Sequence, residues 1–356
     1  MSAPAGGASI VRGYLQTYDW GAVDGLAQWV GATGGPQAEL WFGTHPNGPS
    51  PGRDGAAVSL RTPILTKVLA AGRPLSIQIH PPADLARAQY EAQQADPAVP
   101  SLLPDPYAKA EILIALEPFE ILEGFRDPRR SAEVFALLGA PLVPATEALR
   151  SADLPTAIRS LLGLHTDDVL AHAGALPGVF ATTGIGDPGI MEQVLQAFPG
   201  DPGVFVAALL DSRTLAPGQA VYVDPGTVHA YVRGTGVEVM TASDNVLRLG
   251  LTSKTVAVGA ALEALSVDGR ARFYDPQPVD GVTTYAPADA PFSVQMLTDT
   301  EVTAATGSPR TILCLRGTVH SDDDELRAGD AMLVEAGAPD VNLSVDGQAA
   351  IAQGAR

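Results

Sequence analysis

The chain has 356 residues, of which 46% are hydrophobic, with one cysteine and a formal net charge of -18. This length exceeds what one hydrophobic core usually supports, so two or three domains are expected. The sequence has no run of about eighteen apolar residues, which argues against a membrane-spanning helix, and its negative charge disfavours nucleic-acid binding. A single cysteine excludes an internal disulfide, and the first residues do not resemble a signal peptide. We therefore expect a globular cytoplasmic protein.

The cationic side chains are divided unevenly between arginine and lysine. Of the 22 lysine and arginine residues, only three are lysines, at positions 67, 109 and 254. Since arginine serves wherever a general cation suffices, these lysines are candidates for positions that need a compact ammonium on a flexible stem. An anionic substrate would need such a local cationic pocket, because the overall field is negative.

The first eighty residues predict short strands joined by turn-rich loops. The apolar segments 63–70 and 73–80 are typical of buried strands. In the second segment Ser76, Gln78 and His80 alternate with apolar residues, so their three side chains share one face of one strand.

Residues 83–95 predict a helix, and residues 111–116 predict a further strand. Lys109 and Glu111 are two residues apart where this strand begins, so they also share a face. The pair therefore brings an ammonium and a carboxylate to the same side of the predicted sheet.

A helical insertion is predicted between residues 129 and 199, where apolar residues have helical spacing between Gly and Pro. Beyond it, the segment 215–229 aligns without gaps with the segment 326–340. Two strand–turn–strand copies at this distance indicate two barrels of one type. His229 of the first copy corresponds to Asp340 of the second, so only the first barrel keeps this potential metal ligand.

Polar residues able to perform chemistry are concentrated after this first copy. They are, in chain order, His229, Tyr231, Glu238, Asp244 in the loop TASDN, Arg248 and Lys254. Two histidines and a glutamate are suitable zinc ligands, and a glutamine carbonyl can join them as an oxygen donor. A barrel would supply such ligands from neighbouring strands.

Five segments of the chain carry a resemblance to a known family. They are YDWG (18–21), ELWFGTHPNGPS (39–50), PILTKVLAAGRPLSIQIHP (63–81), FEILEGFR (119–126) and HAYVRGTGVEVMTASDNVLRLGLTSK (229–254). In these segments the chain resembles the type I mannose-6-phosphate isomerases, which belong to the cupin superfamily. The resemblance is strong over roughly residues 11–126 and 200–256, and all three lysines of the chain lie within these stretches.

The resemblance implies a metal site and a set of site residues. One Zn²⁺ per chain is expected on Gln78, His80, Glu111 and His229. The catalytic residues are expected to come from Arg248, Lys109, Glu238 and Lys254. Substrate contacts are expected from Trp20, Ser76, Lys67, Tyr231 and Asp244. The chain departs from the family beside the active-site lysine, where Ala108 and Ala110 replace the usual histidine and proline.

The fold implied is mainly β with a helical insertion, comprising two cupin-type jelly-roll barrels and an α-helical domain. The expected division is a catalytic cupin domain formed by residues 1–128 and 200–262, a helical insertion domain (129–199), and a C-terminal cupin-like domain without metal ligands (263–356). The expected partner is a small sugar phosphate, with no nucleic acid and no membrane, and the chain is expected to be a monomer or a weak homo-oligomer.

The resemblance implies interconversion of mannose 6-phosphate and fructose 6-phosphate, a step of mannose metabolism that supplies GDP-mannose biosynthesis. A proton moves between C1 and C2 through an enediolate, and Glu238, Lys109, Lys254 and a zinc-bound hydroxide are all eligible as the base. Two alternatives stay open from the residues alone. One is an iron-dependent cupin oxygenase using His80, Glu111 and His229, and the other is a non-catalytic sugar-phosphate sensor.

Overall fold

The computed structural model describes residues 7–322 and 324–355. Within these ranges, each helix is too short or too polar to cross a bilayer.

The strands, in chain order, are β1 (Ala8–Arg12), β2 (Tyr14–Gln16), β3 (Ala22–Val23), β4 (Pro36–Gln37), β5 (Glu39–Phe42), β6 (Ile64–Ala71), β7 (Gln78–Ile79), β8 (Glu111–Ala115), β9 (Phe119–Phe125), β10 (Leu210–Leu215), β11 (Ala220–Val223), β12 (His229–Thr241), β13 (Leu247–Arg248), β14 (Arg272–Tyr274), β15 (Val282–Tyr285), β16 (Phe292–Ala304), β17 (Arg310–Ser321), β18 (Glu325–Arg327), β19 (Asp330–Val334) and β20 (Val341–Gly354). The helices are α1 (Ala27–Val30), α2 (Ala83–Ala95), α3 (Pro128–Leu138), α4 (Val143–Arg150), α5 (Leu154–Leu162), α6 (Thr166–His172), α7 (Leu176–Thr183), α8 (Pro188–Ala197), α9 (Gly203–Ala207) and α10 (Val258–Ala264).

The larger sheet has eleven strands and is organised around β12. The first part of β12 pairs with β7 and β9, whereas its second part pairs with β6 and β8. The strand changes partners near Gly234, which has a φ of 134° and would bring an added Cβ to 2.8 Å from the carbonyl of Pro118. Glycine is therefore required at this corner of the barrel.

Successive side chains along the strands of this sheet point alternately to an apolar core on one face and to a polar environment on the other. Val68, Val237 and Val239 face a core shared with the C-terminal sheet. The neighbouring positions Lys67 and Glu238 are opposite each other in the register of β6 and β12 and point to the other face. The face away from the shared core is therefore free to carry a polar site.

The smaller sheet has seven strands, with the path β1-β19-β17-β20-β16-β15 and β18 paired with β17. The predicted repeat is confirmed at the level of the backbone, because β11 and β19 occupy its two copies. Each follows a glycine with the same left-handed φ, 87° at Gly218 and 89° at Gly329. The two-barrel architecture predicted from the sequence is thus confirmed. The division into domains stays a prediction. The antiparallel pairing of β1 with β19 joins the start of the predicted catalytic domain to the sheet of the predicted C-terminal domain.

The helices α3 to α8 fill the predicted helical insertion. Three of them begin with an aspartate that caps the helix, followed within two residues by proline, at Asp127, Asp153 and Asp187. Such a cap satisfies amide groups that have no partner in the first turn, and proline is well tolerated there. The helix predicted at 83–95 is confirmed as α2.

One strand prediction is wrong in extent. Only Gln78–Ile79 of the predicted segment 73–80 forms a regular strand. The backbone N–H groups of the rest bond to two different segments of the chain: Leu75 donates to the carbonyl oxygen of Tyr231, and Ile77 donates to that of Gly250. Pro74 has no N–H to contribute to a continuous ladder.

Candidate metal centre and substrate cavity

A cavity of about 700 Å³ opens on the polar face of the larger sheet. Twelve of the thirteen site residues predicted from the sequence line it, namely Trp20, Lys67, Ser76, Gln78, Lys109, Glu111, His229, Tyr231, Glu238, Asp244, Arg248 and Lys254. The thirteenth, His80, is fully buried beside Glu111. The structure therefore brings together residues from five different segments of the sequence.

His80, Glu111 and His229 form a buried cluster whose potential ligand atoms all lie within 4.8 Å of one another. The Nε2 atom of His80 is 3.2 Å from Oε2 of Glu111, and Nε2 of His229 is 3.0 Å from Oε1 of the same carboxylate. Two imidazoles and a carboxylate, from the residue after β7 and the first residues of β8 and β12, thus converge on one point.

The two histidines are oriented by their other ring nitrogens. Nδ1 of His80 lies 2.8 Å from the carbonyl oxygen of Asn245, and Nδ1 of His229 lies 3.2 Å from that of Thr227. A carbonyl can only accept, so each Nδ1 carries the proton and each Nε2 presents a lone pair to the cluster. Backbone carbonyls commonly orient metal-binding histidines in this way.

Asn245 is itself fixed by the loop before β8. Its side-chain amide donates to the carbonyl oxygens of Asp105 and Tyr107, at 2.8 and 2.7 Å. The carboxylate of Asp105 also accepts hydrogen bonds from the hydroxyl of Ser243 and the N–H of Asp244. The loop that follows β12 is thereby held in the conformation that presents a carbonyl to His80.

The cluster fits a zinc ion on two observations. Nε2 of His80 is buried and has no hydrogen-bond partner among the described residues, and the buried Oε2 of Glu111, 3.2 Å from it, is in contact with only one cation among them, the ammonium of Lys109. Buried polar atoms of this kind normally have a partner, so their convergence indicates a cation. The donor set, two nitrogens and a carboxylate oxygen, is also one that zinc prefers.

Gln78 is placed to complete this set. It is the strand partner of His229 on one side and of Arg248 on the other. Directly opposed residues of antiparallel strands project to the same face, so the three side chains point to the cavity together.

The protonation states of His80 and Glu111 are those that a metal ion requires of its ligands. Burial lowers the pKa of His80 to about 4, and the charge of Lys109 acts in the same direction. Burial opposes ionisation of Glu111, but Lys109, 3.0 Å from its Oε2, and the histidines outweigh it, so its pKa lies well below its usual range. His80 is therefore neutral and Glu111 charged at neutral pH, as metal binding requires.

Lys67 lies between two buried glutamates. Its Nζ is 2.7 Å from Oε2 of Glu238 and 3.3 Å from Oε1 of Glu39, whose other oxygen accepts a hydrogen bond from Nε1 of Trp41. Burial lowers the pKa of Lys67, but the two carboxylates more than offset it and raise the pKa above its usual value. Burial, together with the charge of Glu111, raises the pKa of Glu238.

The other predicted residues lie around this centre. The hydroxyl of Tyr231 donates to Oε1 of Glu111 at 3.2 Å, and burial raises the pKa of this tyrosine well above its usual value. Trp20 stacks on Tyr18 with ring centroids 5.7 Å apart. Asp244 accepts a hydrogen bond from Asn47 at 2.7 Å.

Two cations at the cavity form no ion pair with the part of the chain that the structure describes. Arg248 is half-buried, and burial lowers the pKa of its guanidinium, which nevertheless stays charged. Lys254 is exposed. Both are available to an anionic ligand.

Sequence reasoning missed several residues of the site. Glu39, Asp105, Asn245 and Asp201 were not singled out. Glu39 and Asn245 lie inside the segments that carry the family resemblance, and this resemblance could have pointed to them. Asp105 and Asp201 lie outside those segments, and no pattern in the sequence marks them.

Three comparisons place the chain among known proteins. A family model described as the catalytic domain of type I phosphomannose isomerase matches residues 53–128. The mannose-6-phosphate isomerase of Homo sapiens is 30% identical, over 71% of each chain. That of Escherichia coli is 29% identical, over 94% of this chain and 97% of the relative.

The fold has a close counterpart among solved structures. The crystal structure of mannose 6-phosphate isomerase from Salmonella typhimurium, bound to its substrate and to zinc, is similar with a TM-score of 0.85 at 24% identity, over 99% of this chain and all of that one. Shared sequence and shared fold agree, and the chain belongs to the type I mannose-6-phosphate isomerase family.

Proposed function

We propose that the protein is a zinc-dependent aldose–ketose isomerase that interconverts mannose 6-phosphate and fructose 6-phosphate. One observation supports this most strongly: the cluster of His80, Glu111 and His229 adjoins a cavity that also presents Arg248 and Lys254, two cations that form no ion pair with residues 7–322 and 324–355. Relatives of the chain carry the name of this activity. The proposed setting is the cytoplasm, with the chain acting as a monomer or a weak homo-oligomer.

Zinc would be held by His80, Glu111 and His229, with the carbonyl oxygen of Gln78 as the fourth ligand. Zinc bound there supplies Lewis-acid polarisation of a substrate oxygen. The other parts of the reaction are assigned to side chains of the chain itself.

Isomerisation transfers a proton between C1 and C2 and moves hydroxyl protons between two oxygens. We assign proton transfer to Lys109 and Glu238, two buried residues that line the cavity. The raised pKa of Glu238 brings its titration closer to neutral pH, where a general acid or base is most effective.

Arg248 supplies a fixed positive charge beside the developing enediolate. Its guanidinium is half-buried and has no acidic partner among the described residues, so its field is not already neutralised. Lys254 is exposed at the rim of the cavity, and we assign it to the phosphate together with Ser76. Trp20, with Tyr18 stacked on it, provides an apolar surface for the sugar.

A coupled assay of mannose 6-phosphate conversion, with and without a chelator, tests this function. Turnover should require about one zinc per chain, and His229→Ala should lose both zinc and turnover because a ligand is removed. His165→Ala is the matched control, since this exposed histidine of the helical insertion lies outside the cavity. Binding without turnover would indicate a sensor, and oxygen consumption with iron as the only activating metal would indicate an oxygenase.

A further inference from the structure

Two segments from different parts of the chain meet at one side of the cavity. Phe198 and Pro199 come from the end of the helical insertion, Asp201 follows just after it, and the loop 251–254 follows β13. This loop, which we call the Lys254 loop, carries the exposed lysine assigned above to the phosphate. How the loop is held therefore bears directly on substrate binding.

Asp201 joins the two segments through its carboxylate. Oδ1 accepts a hydrogen bond from the N–H of Gly203 at 2.7 Å, and Oδ2 accepts one from the N–H of Thr252 at 3.0 Å. The hydroxyl oxygen of Thr252 in turn accepts from the N–H of Lys254 at 3.0 Å. A continuous chain of hydrogen bonds thus runs from the segment that follows the helical insertion to the lysine.

The conformation of the Lys254 loop needs such support. Leu251 has a φ of 54°, in a region that non-glycine residues rarely adopt. Just before it, Gly250 passes so close to Gly203 that an added Cβ would lie 2.4 Å from the Cα of Gly203. A strained loop persists only where its surroundings hold it, and here the hydrogen bond that Asp201 accepts from Thr252 does so at the next residue.

Asp201 differs from an ordinary capping aspartate of the helical insertion. Asp187 uses one oxygen, Oδ1, to accept from Gly189 and Ile190 of its own helix. Asp201 instead divides its two oxygens between its own segment and a distant loop. A local turn needs only the bond to Gly203, whereas the second bond, to Thr252, ties a distant loop to the Asp201 segment as a clamp would.

We propose that Asp201 is a positioning residue that clamps the Lys254 loop so that the lysine meets the phosphate of the substrate. The inference rests on the proposed function and deepens it. It also predicts that loss of the Asp201 charge weakens substrate binding, which is the opposite of what charge alone predicts. Removing a carboxylate near an anion site would by charge alone strengthen phosphate binding, whereas losing the clamp weakens it.

Asp201→Asn tests the clamp with little change in shape. The single amide oxygen of asparagine can keep the bond to Gly203, but its NH₂ group cannot accept from Thr252. Asp187→Asn is the matched control, because it makes the same substitution at an aspartate 14 residues earlier that does not contact the Lys254 loop. If the free loop holds the binding conformation about a tenth of the time, the Kd for mannose 6-phosphate rises about tenfold.

Calorimetric titration of the zinc-loaded proteins with the equilibrium mixture of mannose 6-phosphate and fructose 6-phosphate gives an apparent Kd without heat from isomerisation, and hydrogen exchange reports the Thr252 amide. We expect weaker binding, faster Thr252 exchange and a kcat within about threefold of wild type for Asp201→Asn, with no change for Asp187→Asn. A double-mutant cycle with Lys254→Ala separates a clamp from a general structural role. The double variant should bind no worse than Lys254→Ala alone, because Asp201 acts through that lysine.

Additive losses in the cycle, an unchanged or tighter Kd, or unchanged Thr252 exchange would each overturn the clamp. These results are distinguishable from failure of the proposed function itself. A wild-type protein that neither binds nor converts mannose 6-phosphate would defeat the function, and the inference with it.

Discussion

The buried charge group around Lys67 gives a quantitative prediction about stability. In Lys67→Met the ammonium is replaced by an apolar chain of similar length, which leaves Glu39 and Glu238 without their cation. Distances of 2.7 and 3.3 Å correspond to attractions of about 6 and about 5 kcal/mol at an effective dielectric constant of about 20. The cost of burying the ammonium offsets much of this, so the net loss is expected to resemble that of breaking other buried pairs, about 3–5 kcal/mol.

The loss should depend on pH in a defined direction. Lys67 has a raised pKa, so its stabilising contribution is fully present below its unfolded pKa and constant between pH 5 and 8. In the variant the pKa of Glu238 rises further, so the folded state takes up a proton that the unfolded state releases. The variant therefore gains stability as the pH falls, and its deficit should be smaller at pH 5 than at pH 8.

Thermal unfolding of the metal-free proteins at both pH values is the assay. A loss of about 4 kcal/mol lowers Tm by about 5 °C for a chain of this size. Lys254→Met is the control, since the same substitution at an exposed lysine should change the free energy of unfolding by less than about 0.5 kcal/mol. Equal Tm values for the two variants, or a deficit that grows as the pH falls, would refute the reasoning.

Three further predictions concern the reaction and the metal. Arg248→Ala should lower kcat much more than it raises KM, because a charge aimed at the enediolate acts mainly in the transition state; a rise in KM alone would make Arg248 a phosphate anchor. Lys109→Arg should fold and bind zinc but lose about a hundredfold or more in kcat, since a guanidinium does not exchange protons, and a kcat within a few-fold of the parent would exclude proton transfer by Lys109. Asn245→Ala should weaken zinc binding about 10- to 100-fold in a chelator competition, because the carbonyl that orients His80 loses its support. Unchanged zinc affinity would show that the backbone holds this carbonyl without the side chain.

The local periodicity of the sequence was enough to predict several helices and strands and which side chains share a face. Alternation along 76–80 predicts that Ser76, Gln78 and His80 share a face, and the helix at 83–95 follows from apolar spacing alone. Such patterns succeed because side-chain direction depends on the backbone repeat of the element itself. The family resemblance then connected these segments to one site, which periodicity by itself could not do.

The contacts between distant segments were decided only by the tertiary structure. From its strand position alone, Glu39 would be expected to face solvent. The register of β5 and β6 pairs Glu39 with Leu69 and Trp41 with Lys67, so the Glu39 carboxylate lies diagonally across from Lys67, 28 residues away, at 3.3 Å from its Nζ. Asn245 and Asp105 are 140 residues apart, and their bond exists because two loops meet behind His80. In the same way β1 pairs with a strand near the opposite end of the chain. Register and loop packing arise from the summed burial of whole sheets, so no local pattern specifies which carboxylate meets which cation.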